Sequence, residues 1–138
     1  MTPAAALVAV LALAYPGVAP MLRLDVAASV TRAATAHRVP VAVLSAVCFA
    51  ESRMGTAPRY ASLCGVRIRH AYVRSDALSA DLAAYSLRRR RAECGSWPRA
   101  LAYYRTGRGC SSTDPTFHNE EWKIFNAMNN DELAKSRN

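Results

Sequence analysis

Ten carboxylates are scattered through a chain that carries 18 Lys and Arg, and one of them sits where a carboxyl group can do chemistry. Residues 39–52 read VPVAVLSAVCFAES, an apolar run closed by Glu51. On a helix the neighbours one turn back from Glu51 are Val47 and Cys48, which offer no charge and little water. Glu51 also falls near the negative end of the helix dipole, where an anion is disfavoured. Both conditions favour the neutral acid. A carboxylic acid that keeps its proton near neutral pH can donate it to the leaving oxygen of a glycosidic bond. The plainer reading is a helix-end glutamate paired with one of the many arginines.

The other candidate groups carry less. Asp76 and Asp81 are the acids that could supply a second carboxylate. Asp76 belongs in the first turn of a helix, where a carboxylate is simply favourable, and both read as structural. His37, His70 and His118 share no ligand spacing, so no metal site is expected, and no organic cofactor is implied. Cys48, Cys64, Cys94 and Cys110 are separated by 15, 29 and 15 residues, unlike a zinc ribbon or finger. Four cysteines allow two disulfides in three pairings, or four buried thiols. A Cys48–Cys64 bridge suits the first pair, and Cys94 and Cys110 bracket a helix that a second bridge would close. Two bridges suit an oxidising compartment. The run Arg88–Arg91 could meet phosphate, but reads as a solvated helix end, and no specific nucleic-acid partner is expected.

Several helices are needed to position Glu51. Leu22, Val26, Val30 and Ala33 share a face of a helix over about 22–36. Pro40 suits the first turn of the next helix, over 40–53, with Val43, Leu44, Val47 and Ala50 towards a core and Gly55 ending it. Residues 56–74 read as loop with a short turn or hairpin. Ser75 caps a helix whose Leu78, Leu82 and Tyr85 lie on one face. Ser96 starts a short helix through Tyr104, broken by Gly107 and Gly109. Asp114-Pro115 starts the last helix, with Phe117, Glu121, Ile124, Phe125 and Met128 at helical spacing. Residues 129–138 read as a loose polar tail. The sum is an all-α domain over 21–128. It is preceded by an uncharged segment, 1–20, read as a retained signal, a membrane-penetrating segment or a helix docked on a partner.

Length allows one domain. Residues 1–110 hold 15 Arg against five acids, a balance of +10, while residues 111–138 come to −2. A basic body seeks an anionic partner, and nucleic acid, anionic lipid and bacterial cell wall all qualify.

Two segments together resemble a known family. VPVAVLSAVCFAESRMG resembles the start of a lytic transglycosylase domain of the soluble, lysozyme-like (goose-type) kind, with Glu51 and Ser52 at its Glu-Ser signature. WPRALAYYRTGRG resembles the second signature, with Tyr104, Arg105, Thr106 and Gly107 on its Tyr-Asn-x-Gly positions. The resemblance spans roughly residues 22–110. It implies a lysozyme-like helical fold and cleavage of the bond between N-acetylmuramic acid and N-acetylglucosamine in peptidoglycan by one glutamate. Glu51 would be the catalytic acid and base. Ser52 would orient the acetamido group, Tyr104 would contact Glu51 or line the cleft, and Tyr103 and Gly65 would contact the sugar. Two positions depart from the family. Ser62-Leu63-Cys64-Gly65-Val66 replaces a Gly-Leu-Met-Gln stretch, so its Gln is missing, and Arg105 replaces the Asn.

Glycan strands are then the expected partner, in a bacterial envelope or through a phage virion or secretion assembly docked by residues 1–20, with membrane contact also open. The rivals are an inactive lysozyme-like adaptor, motivated by the missing Gln and Asn, and a basic nucleic-acid or membrane binder.

Overall fold

The computed structural model describes residues 1–136, with side chains through residue 130. Its backbone is built mainly of helices: α1 (Pro3–Ala14), a 3-10 turn (Pro16–Met21), α2 (Leu24–His37), α3 (Val41–Ser52), α4 (Asp76–Cys94), α5 (Trp97–Thr106) and α6 (Pro115–Ser136). Between α3 and α4 a minimal antiparallel hairpin joins β1 (Arg67–Ile68) to β2 (Ala71–Tyr72), pairing Arg67 with Tyr72 and Ile68 with Ala71. The helical class expected from the sequence stands.

α3 is apolar on every side, and a helix of that kind must be enclosed. Every residue from Ala42 to Phe49 is buried, as is Ser52. α2, α4, α5 and α6 pack against it. The exception is its last turn, where Ala50 and Glu51 are exposed. Ala50, expected towards the core, instead shares the open face with Glu51. The helix ends earlier than Gly55: Arg53 takes the left-handed conformation that terminates it, followed by Met54 and Gly55 at φ 56° and 77°. Pro40 caps α3 from outside rather than entering its first turn.

The caps read from sequence form. Ser75 accepts from Leu78 N at 3.2 Å, Ser96 from Arg99 N at 3.4 Å, and Asp114 from Thr116 N at 2.9 Å. The buried stripe of α4 lies beside the expected one. Ser79, Ala80, Ala83, Ala84 and Leu87 are buried, whereas Leu78 and Tyr85 are exposed. The small side chains let α4 approach α2, whose own buried face includes Ala27, Val30, Ala33 and Ala34. Large apolar residues mark the expected stripe; close helix approach selects the small one. On α6, Phe117, Ile124 and Ala127 are buried while Phe125 is 43% exposed.

Residues 1–20 belong to the same core as the rest. α1 and the following turn bury Leu7, Val10, Leu11, Tyr15 and Val18, and α1 packs on α2 and α6. The Tyr15 ring stacks on Phe49 of α3 with centroids 3.6 Å apart. One face of the segment read as signal, membrane-penetrating or partner-docking therefore packs on this chain's own helices, and residues 1–20 share the core of the helices that follow. No described helix is long and apolar enough to cross a membrane. The tail expected from 129 is also revised, because α6 continues to Ser136; residues 137–138 lie outside the described residues. The arginine run is not simply solvated. Arg89, Arg90 and Arg91 lie over the rings of Tyr85, Tyr103 and Trp97.

Leu11 has no exposed surface, so Leu11→Ala should cost about 2–5 kcal/mol in a urea titration, the usual range for emptying a buried leucine site. A loss under ~0.5 kcal/mol, the scale of surface changes, would show that α1 is not part of the cooperative core.

Candidate functional site

The site begins with the segment Ser62–Val66, which crosses the exposed end of α3. It is fixed from three sides. From α3, Cys48 bridges to Cys64, and the Ser52 hydroxyl donates to Leu63 O at 2.7 Å or to Cys48 O at 3.0 Å. From α4, the buried Ser79 hydroxyl accepts from Cys64 N at 3.0 Å and bonds the Ser62 hydroxyl at 2.8 Å. Ser62 in turn accepts from Val66 N at 3.0 Å. From α5, the Tyr104 hydroxyl donates to Cys64 O at 3.2 Å.

Gly65 is the consequence. It adopts φ +69°, and a Cβ built there would stand 2.5 Å from Cδ of Glu51 and 2.6 Å from its Oε2. The carboxyl of Glu51 therefore lies against the bare backbone of Gly65. A side chain at 65 would be strained by the left-handed backbone and would push the carboxyl aside. Among the described residues Glu51 makes no ion pair, although arginines dominate the chain and Arg53 is two positions away. The guanidinium of Arg53 sits instead over the Phe49 ring at 5.8 Å.

Tyr104 completes the group. Burial, and next to it the negative charge of Glu51, raise its phenol above the ordinary tyrosine range. It is a neutral donor held beside the carboxyl. The structure thus brings together Glu51, Gly65 and Tyr104, three of the five positions expected at the site.

The other two are placed differently. Ser52 is 1% exposed, and its hydroxyl, besides donating to the carbonyls above, accepts from Gly55 N at 2.9 Å. Its proton is committed and its burial leaves no access for an acetamido group, so the hydroxyl supports the Leu63 segment instead. Tyr103 lies under the guanidinium of Arg90, 4.0 Å from the ring centroid. This places it between α5 and α4, half-buried, with one face of its ring against Arg90. Arg105, at the Asn position of the second signature, turns to Asp114 at 2.9 Å. The two acids weighed as second carboxylates are engaged: Asp76 accepts from Tyr60 at 3.0 Å, and Asp81 pairs with His37 at 2.7 Å.

Water reaches Glu51 more freely than an apolar helix end suggests, because the side chain is exposed while its helix is buried. The expected groove walled by Ser52 does not form, since Ser52 faces inward. Three recesses among the described residues lie elsewhere, the first of about 290 Å³ and lined by residues including Arg99, Asp114 and His118. The described residues contain no cluster of three or more metal-ligating side chains.

Sequence reading missed Ser62 and Ser79, which anchor the segment. Their signal is faint: Ser79 falls within the small-residue stripe of α4, where a polar atom needs a buried partner. The Cys48–Cys64 and Cys94–Cys110 bridges are both present. No family model, curated protein or solved structure matches the chain.

Two outcomes follow from the geometry. Gly65→Ala and Gly95→Ala both place alanine at positive φ, at a cost of about 1 kcal/mol each, but a Cβ at Gly95 meets nothing within 4 Å. Only Gly65→Ala should move the carboxyl carbon resonance of Glu51 in an NMR spectrum; an unmoved resonance would refute the contact. Tyr104 and Tyr15 are both raised, chiefly by burial. The unfolded chain then releases phenolic protons before the folded one, so stability present below about pH 10 should fall as pH rises past it. Ultraviolet phenolate titration beside alkaline unfolding curves would check this, and complete ionisation near pH 10 with the fold intact would contradict it.

Proposed function

We propose that this protein is a lytic transglycosylase with a lysozyme-like fold, which cuts peptidoglycan between N-acetylmuramic acid and N-acetylglucosamine. The observation that carries the reading is a carboxyl group that makes no ion pair among the described residues, exposed at the end of a largely buried helix and laid on a side-chain-free backbone near a neutral phenol. In a chain this rich in arginine, an exposed glutamate left without a cation is available for other chemistry. The two sequence signatures support the same assignment, since Glu51 and Tyr104 come from different signatures and meet at one place. The two disulfides suit an oxidising setting such as a bacterial envelope, or a virion acting on one.

In this mechanism Glu51 donates its proton to the glycosidic oxygen as the bond to C1 breaks. The 2-acetamido group of the substrate stabilises C1, as in other glycosidases that lack a second carboxylate. The carboxylate then takes the proton of the C6 hydroxyl, whose oxygen closes on C1 to give a 1,6-anhydro sugar. Glu51 ends protonated, ready for another cycle. Gly65 fixes where the carboxyl rests, and Tyr104 supplies a neutral neighbour that does not repel the carboxylate formed midway.

An inactive lysozyme-like adaptor is the second reading. It is favoured by the occupied hydroxyl of Ser52 and by Arg105 turning to Asp114. Incubation of wild type and Glu51→Gln with purified peptidoglycan separates the two. The enzyme reading expects anhydromuropeptides by mass spectrometry from the wild type, and a fall of about 10²–10⁴-fold in the variant, the range for losing a general acid–base. Silence from both proteins would overturn the enzyme reading and support the adaptor. Products with a reducing end would mean hydrolysis.

A further inference from the structure

The hairpin that follows Gly65 has no role in the chemistry above, and its composition is one-sided. Between Glu51 and Asp76 the chain holds Arg53, Arg59, Arg67, Arg69 and Arg74 and no acid. Three of these, Arg67, Arg69 and Arg74, lie on or beside the hairpin, with His70 at its tip. All four side chains are exposed. Among the described residues none of them makes an ion pair, a property they share with arginines such as Arg32, Arg38 and Arg99; what sets the hairpin apart is its place beside Gly65 in a stretch without an acid.

The hairpin is also built to hold its charges in place. Arg69 and His70 both take left-handed backbone, at φ 49° and 70°. That is the pattern of a tight two-residue turn, unusual without glycine. Val73 N bonds Val66 O at 2.9 Å and closes the base of the hairpin beside Gly65. The Arg67 guanidinium lies 4.2 Å from the Tyr72 ring centroid and donates to the hydroxyl of Tyr72. A cation stacked in this way is pre-oriented and loses less freedom on meeting an anion.

From these features we infer that the hairpin arginines, Arg67 and Arg69 foremost, bind the carboxylates of the peptide stems on the glycan strand. The inference rests on the peptidoglycan reading above and names the part of that substrate which the hairpin recognises. The geometry is local. Arg67 is two residues from Gly65, at most about 7 Å along the chain, and Gly65 carries the Glu51 carboxyl. The stem leaves the glycan at C3 of the muramic acid whose C1 bond is cut, so its carboxylates fall within reach of the same row of cations. Wall polymers joined by phosphodiester to the C6 oxygen are a different anion. A muramic acid carrying one lacks the free hydroxyl needed to close the 1,6-anhydro ring, so it is not the sugar bound at the cut.

The test uses full-length Glu51→Gln, so that binding is read without cleavage. Its retention is measured on immobilised glycan strands bearing stems and on the same strands after an amidase has removed the stems, which leaves one lactyl carboxylate on each muramic acid, at low and high salt. Stem-bearing material should be retained about fivefold or more better, a difference that shrinks with salt. Adding Arg67→Gln and Arg69→Gln should remove most of that preference, two exposed ion pairs being worth about fivefold together. Both side chains are exposed, and the lysine pair at the same positions should restore the preference in part, which separates charge from a folding defect. Equal retention on both materials would overturn the inference, as would a preference untouched by the glutamine pair. Retention that follows wall phosphate, DNA or anionic vesicles instead of stems would overturn it too. Cleavage is assayed separately with wild type. Stem-dependent binding without anhydro products would remove the catalytic reading and leave the hairpin assignment standing.

Discussion

One short stretch of backbone, Ser62–Val66, holds the candidate site together. A disulfide and a serine tie it to α3, a buried serine pair ties it to α4, and a tyrosine hydroxyl ties it to α5. Each hydrogen-bonded tie satisfies a polar group that would otherwise lack a partner, a loss worth about 1–3 kcal/mol apiece where the group is buried. The Cys48–Cys64 bridge adds a constraint on the unfolded chain; for a loop of this length the chain-entropy view gives about 3 kcal/mol. With three helices fixed to one loop, Gly65 has little freedom, and neither does the carboxyl that rests on it.

The same arrangement explains how a buried helix can present an exposed acid. α3 is enclosed along its length because it has no polar face, yet its last turn escapes the core beside the loop. Arg53, Met54 and Gly55 turn the chain back through three left-handed residues. That reversal brings Leu63 over Ser52 and Gly65 over Glu51. Ser52 and Glu51 are adjacent in sequence and point opposite ways, one into the interior and one outward. The inward one stabilises the loop that the outward one lies on.

Charge is distributed with a similar logic. Some arginines are occupied: Arg23, Arg90 and Arg105 by carboxylates, Arg89, Arg90 and Arg91 by aromatic rings. Arg67, Arg69 and Arg74, which make no ion pair among the described residues, stand on or beside the hairpin that follows Gly65. The reacting bond of the proposed mechanism must sit near the same hairpin.

The amino-acid sequence by itself determined the helical class and most caps, and it singled out Glu51 as a candidate. These follow from local physics: apolar periodicity, Ser and Asp at helix starts, and an acid closing an apolar run. Sequence also pointed to the pairing of neighbouring cysteines among its alternatives. It misassigned what depends on which neighbours come close. The buried stripe of α4 follows its small residues because α2 packs tightly there, and α1 serves the core because α2 and α6 offer it an apolar surface. Ser52 and Tyr103 carry side chains fit for sugar binding, and their directions are fixed by partners distant in sequence, Leu63 and Arg90. Only the tertiary structure decided that the carboxyl of Glu51 rests on Gly65, because that contact requires a loop 14 residues later to be held against the helix end by groups from three helices at once.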